Sequence, residues 1–205
     1  MKLFLSGLVI GALVAALLMA VVAQHRASWL SRYQFSLTQP PVPDSILRRI
    51  REAEAGYYAE LPWWRQIFEH AQDSVAVLAP SVIYRLNLSV GRYRIKAGTI
   101  DELLAWAMDE GYLTLAPGTQ AESHDAIAYF AVQPVLNDWE AALYVAWLKD
   151  THPALSEMTW ASIESDPRLV AKLYSGYVGA GGDMDGWRAT TEPGPVALRR
   201  MNLEP

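Results

Sequence analysis

The sequence predicts a mainly α-helical domain with one short extended hairpin or loop, preceded by a single N-terminal transmembrane helix. Three observations carry this. Residues 3–23 form an apolar run without a charge. Most of the remainder places apolar residues three and four apart, the spacing of one helix face. A single stretch around Gly91 alternates instead, as extended chain does.

The run LFLSGLVIGALVAALLMAVVA, Leu3 to Ala23, has the length of about 20 residues that a helix needs to cross roughly 30 Å of hydrocarbon. The rival reading is a cleaved signal peptide, because Lys2 precedes the run and Val21-Val22-Ala23 resembles a cleavage site. Signal-peptide cores usually span only about 7–15 residues, which favours an uncleaved anchor over 1–23. Lys2 on one side and Arg26 and Arg32 on the other nearly balance the positive-inside bias, so the flanks leave orientation open. Trp29 and Tyr33 suit an interfacial belt.

Residues 24–43 read as a proline-rich linker ending in Gln39-Pro40-Pro41-Val42-Pro43, with the folded domain over 44–205. Asp44 or Ser45 is placed to cap a helix through about Ala59, with Ile46, Ile50, Ala53 and Tyr57 on one face. Leu61-Pro62 ends it. A second helix runs from Trp63 to about Ala79, with Ile67, Ala71, Val75 and Leu78 as its expected buried side and Pro80 as its end. Ser81 to Ala97 reads as irregular or extended, with Tyr93 and Ile95 alternating against Arg92, Arg94 and Lys96 on one shared face. Thr99 with Glu102 forms a capping box for a helix through Asp109 that Gly111 stops.

Further helices are expected at about 125–132, closed by Pro134, and from an Asn137–Glu140 capping pattern to Asp150, with Trp139, Leu143, Ala146 and Trp147 inward. The last starts at Asp166-Pro167 and runs through Leu169, Leu173 and Tyr177, after which Gly179, Gly181 and Gly182 lead into a loop and tail. That makes six helices.

Composition narrows function. At 205 residues the chain has room for one compact domain, and 52% apolar content argues against disorder. A net charge of -5 gives no polyanion-binding signature, so nucleic acid is not an expected partner. No cysteine is present, which removes disulfides, thiolate metal sites and thiol nucleophiles. His25, His70, His124 and His152 lack metal-ligand spacing, no glycine-rich phosphate loop opens a helix, and no cofactor is implied.

Three segments, in order, resemble the lysozyme-like domain of lytic transglycosylases and goose-type lysozymes, over about residues 62–180. Ser89-Val90-Gly91-Arg92-Tyr93-Arg94-Ile95-Lys96 with Thr99 looks like the family's Ser-x-Gly-x-x-Gln-Ile-x-x-x-Thr stretch, with Arg94 where glutamine is expected. Asn137 to Leu148 is similar to a family helix that opens with asparagine. Leu173-Tyr174-Ser175-Gly176 resembles the Ala-Tyr-Asn-Gly motif whose tyrosine contacts the catalytic acid, with Ser175 replacing asparagine.

The resemblance implies a substrate cleft lined by Ser89, Gly91, Tyr93, Arg94, Ile95, Tyr174 and Ser175. It also implies a glutamate acid roughly 10–20 residues before the glycine of the first motif. Asp73, followed by Ser74, lies in that window, and Glu69 lies one turn earlier, so these are the candidate acids. One carboxyl suffices for the family reaction. It protonates the glycosidic oxygen and then, as a base, helps the muramic acid C6 hydroxyl close a 1,6-anhydro ring. The acid needs a pKa raised by an apolar pocket to hold its proton near neutrality.

Arg85, Arg92, Arg94 and Lys96 cluster, while residues 101–166 contain twelve acids and a single base, Lys149. The basic cluster suits an anionic group such as a muramyl-peptide carboxylate or a lipid phosphate; Arg94 alternatively plugs the cleft by pairing with Asp73. The preferred reading is a single-pass inner-membrane protein whose domain, on the periplasmic side, binds peptidoglycan glycan strands and cleaves them. The alternative is a catalytically inactive accessory or scaffold subunit with a membrane-complex partner.

Overall fold

A computed structural model of the chain describes residues 21, 35–91, 93–117, 134–179 and 184–203. It is mainly helical. Among the described residues no helix is long and apolar enough to cross a membrane. The expected anchor, except Val21, and the expected helix at 125–132 lie outside the described residues.

The first element, β1 (Phe35–Leu37), falls inside the stretch that reads as a linker, and it pairs antiparallel with β4 (Leu113–Leu115). Pro40 and Val42 are buried and Pro41 is exposed, so this stretch lies partly against the core rather than apart from it. Helix α1 (Asp44–Glu60) starts after Pro43 and has no side-chain cap bond, so Asp44 acts in the first turn rather than as its cap. Ile46, Ile50 and Ala53 are buried as expected, whereas Tyr57 is 37% exposed, and the buried face also carries Glu54.

Helix α2 (Trp63–Leu78) has the expected limits and the opposite orientation. Gln72 and Ala76 are buried, while Ile67, Ala71 and Val75 point outward. Its end at Ala79 does not open an extended stretch. Pro80, which suits a first helical turn, begins the short helix α3 (Pro80–Arg85). A hairpin of β2 (Ser89–Val90) and β3 (Ile95–Lys96) follows, turning through Gly91 at φ 73°. Tyr93 and Ile95 are buried and Lys96 is exposed, while Arg94 turns inward, so Arg94 and Lys96 do not share one face, and Arg92 lies outside the described residues.

Helix α4 (Ala97–Asp109) starts before Thr99, so the expected capping box is not used, and Gly111 at φ 75° ends it as glycine allows. Helix α5 (Pro134–Thr151) begins at Pro134 and places Asn137 within the helix, where its Oδ1 accepts from the Tyr93 amide instead of capping. This helix is buried on most sides and forms the centre of the molecule. Three short elements escape the sequence pattern, α6 (Pro153–Ser156), α7 (Trp160–Ser165) and, in the expected loop and tail, α9 (Met184–Arg188). Helix α8 (Pro167–Gly179) starts where Asp166 Oδ1 accepts from the Arg168 amide. The tail also contains α10 (Pro195–Arg200), which packs on α8 and α1.

Gly176 lets α5, α8 and α9 meet closely. A Cβ there would lie 2.7 Å from the Trp187 ring and 2.9 Å from Leu148 Cδ2. The Trp187 indole is buried and held by bonds to Lys172 O and Ser175 Oγ, so yielding strains both. Gly176→Ala is therefore expected to destabilise the domain by about 1–3 kcal/mol despite alanine's better helix propensity. Chemical unfolding of the two chains in the same detergent checks this.

Glu140 is a second buried anomaly. Neither of its oxygens meets a well-aligned hydrogen-bond donor among the described residues. Burial pushes its carboxyl well up from the ordinary 4.5, against a weaker opposing pull from Asn137. A raised folded pKa means that the folded chain holds the proton more tightly. Stability is then greatest below the unfolded value and is lost as pH rises through the folded one. Glu140→Gln is expected to stabilise the domain by about 1–3 kcal/mol above neutrality. The gain should shrink to almost nothing near pH 4, which urea midpoints at several pH values would resolve.

Candidate active site

Helix α1, the β2–β3 hairpin, and helices α5, α8 and α10 surround a cleft of about 790 Å³. Its wall includes Asp73, Ser89, Gly91, Tyr93, Arg94 and Ile95, so six residues expected from the sequence come together. Tyr174 is buried outside that lining, and its hydroxyl reaches Glu54, which lines the cleft. Ser175 does not: its hydroxyl donates to Lys172 O at 2.7 Å and receives the Trp187 indole, which turns it toward α9. Glu69 belongs to α2, but its side chain lies outside the described residues.

Asp73 is committed to the hairpin. Its Oδ1 accepts from the Gly91 amide at 2.9 Å and from Arg94 Nη1 at 3.1 Å. Arg94 sits at φ 55°, a left-handed conformation that is costly for a residue with a Cβ, and its guanidinium turns in toward Asp73. The pairing of Arg94 with Asp73 is thus one of the two arrangements the sequence allowed.

The carboxyl that meets Tyr174 is Glu54. Tyr174 Oη donates to Glu54 Oε1 at 2.5 Å, and Arg200 Nη1 donates to the same oxygen at 3.0 Å and to Tyr174 Oη at 3.2 Å. The Arg200 guanidinium lies 3.5 Å from the Tyr57 ring centroid, which fixes its plane. Both bonds fall on Oε1. Burial pushes the Glu54 carboxyl up; the Tyr174 hydroxyl, Arg200 and, more distantly, Arg94 pull it down. Burial prevails. Tyr174 is itself pushed up by burial and by Glu54, so it remains a protonated donor.

Other tyrosines fix the walls. Tyr93 Oη accepts from Arg51 Nε at 3.0 Å, and its carbonyl accepts from Tyr177 Oη at 2.6 Å. The Tyr144 and Tyr177 rings pack tilted by 38°, with centroids 4.9 Å apart. The cleft therefore offers one buried carboxyl with a raised pKa, aromatic walls and guanidinium groups from Arg51, Arg94 and Arg200. Among the described residues no cluster of His, Cys, Asp or Glu is arranged to hold a metal ion.

Sequence reasoning missed Glu54 and Arg200. A carboxylate on the apolar side of α1, one turn after Ile50, was the available signal, because such positions rarely accept an unpaired charge. Arg200 gave no signal, lying in a tail without periodicity. No family model matches the chain, and comparisons with curated proteins and with solved structures find no significant match.

Proposed function

We propose that this chain is a membrane-anchored, lysozyme-like protein of the inner membrane, with its domain on the periplasmic side. In this reading it binds peptidoglycan strands and cleaves them as a lytic transglycosylase does. The observation that carries the reading is the buried, raised-pKa Glu54, held by Tyr174 at the wall of a cleft large enough for several sugar rings. The family motif places a tyrosine on the acid, and Tyr174 is the tyrosine of the resembling segment.

Glu54 replaces Asp73 and Glu69 as the proposed acid. Protonated Glu54 gives its proton to the glycosidic oxygen as the C1–O bond breaks. The resulting carboxylate takes the proton of the muramyl C6 hydroxyl while that oxygen bonds to C1. The proton returns to Glu54 and no water is consumed.

Digestion of purified peptidoglycan by the full chain in detergent, followed by mass spectrometry, tests this directly. Anhydromuropeptides are the expected products. The accessory reading is favoured by one arrangement, the pairing of both carboxyls with arginines: Glu54 with Arg200, and Asp73 with Arg94. A folded chain that binds glycan and releases no product would establish that second reading instead.

A further inference from the structure

The outward face of α2 is apolar along most of its length. Trp64, Ile67, Phe68, Ala71 and Val75 recur at helical spacing, and Trp63 adjoins them. Trp63 is 73%, Ile67 59% and Phe68 58% exposed. Scattered exposed apolar residues are ordinary, but a continuous stripe including three aromatic rings is a surface made to be covered. The opposite face of the same helix buries Gln72 and Ala76, so the stripe is not a helix displaced from its core.

We infer that this face lies in the interfacial layer of the lipid bilayer. The inference rests on reading residues 3–23 as the membrane anchor. Between that run and β1 stand only residues 24–34, which when fully extended reach roughly 40 Å at most, so the start of the domain stays within that distance of the membrane surface. The stripe's chemistry fits lipid. Among the described side chains it is apolar along its centre, and it carries tryptophans, which favour the headgroup boundary. Cations flank it: Arg65 lies against the Trp64 ring at 5.3 Å, and Arg85 is exposed on the neighbouring α3, suiting anionic headgroups. Val82 and Leu86 add exposed apolar surface on and just after α3.

The chain has no cysteine, so single introduced cysteines report one position each. The full chain is reconstituted into phosphatidylethanolamine–phosphatidylglycerol vesicles carrying an environment-sensitive fluorophore at Ile67→Cys, Phe68→Cys, Leu13→Cys or the exposed Glu157→Cys. Labels at 67, 68 and 13 are expected to shift to the blue and to lose at least half their emission to brominated acyl chains, while the label at 157 does neither. Water-like, unquenched emission at 67 and 68 beside a quenched label at 13 overturns the proposal and leaves the anchor standing. An unquenched label at 13 removes the anchor, and the proposal with it. Shielding at 67 and 68 that follows protein density and ignores brominated lipid assigns the face to a second copy of the chain and also overturns it. None of these readouts depends on glycan cleavage.

Discussion

Replacing Glu54 by glutamine is expected to slow release of anhydromuropeptides by about 100- to 10,000-fold, the range that removal of a general acid usually costs. Glutamine keeps the shape and can still accept from Tyr174 and Arg200, so the variant should fold. Asp73→Asn is expected to cost less than about tenfold, because its role is to hold the Gly91 amide and Arg94, and an amide oxygen still accepts both bonds. If Asp73→Asn abolishes cleavage and Glu54→Gln does not, the acid is Asp73. The wild-type profile should also fall on its alkaline side, as pH climbs through the raised Glu54 value and the acid loses its proton.

Arg200→Met should produce the largest change in stability and move that alkaline limb. Arg200 favours the charged form of Glu54, so its loss raises the carboxyl's pKa further and carries activity to higher pH. Stability follows the same linkage. Glu54 titrates above 4.5 in the folded chain, so the folded state binds its proton more tightly. Its contribution is most favourable below the unfolded value and declines as pH rises through the folded one. Without Arg200 the decline continues further. Wild type and variant should lie close together near pH 4 and differ by about 3 kcal/mol above neutrality, when a buried carboxylate has lost its partner. A difference that stays constant with pH would instead assign Arg200's effect to its packing on Tyr57.

Helix limits were the most legible part of the fold, because proline and glycine act locally. Leu61-Pro62 separates α1 from α2, Gly111 ends α4, and Asp166-Pro167 opens α8, each where the sequence places it. Which side of a helix faces the core is not a local property. The apolar stripe of α2 was read as inward, yet hydrophobic spacing specifies only that a face avoids water, not whether protein or lipid covers it. The β1–β4 pair was illegible because three-residue strands are too short to show a period.

The hairpin side of the cleft was legible through motif resemblance, since Ser89 to Ile95 is a continuous stretch. The acid was not. The expected spacing before Gly91 directed attention to α2, whereas the carboxyl that Tyr174 touches comes from α1. Arg94 was legible as an outlier in the motif, and its left-handed backbone was not, because neither a side chain nor its neighbours announce that conformation.

The Glu54 cluster joins residues 120 and 146 positions apart in the chain. Contacts of such long sequence separation form late, since the loops that close them cost entropy before any bond repays it. Synthesis proceeds from the amino end, so α1 emerges well before α8 and α10 exist. During that interval Glu54 has neither its hydroxyl nor its guanidinium partner. In the proposed reading the centre stays incomplete on a nascent chain until Tyr174 on α8 has been made and has docked on Glu54, so assembly order itself delays the onset of cleavage.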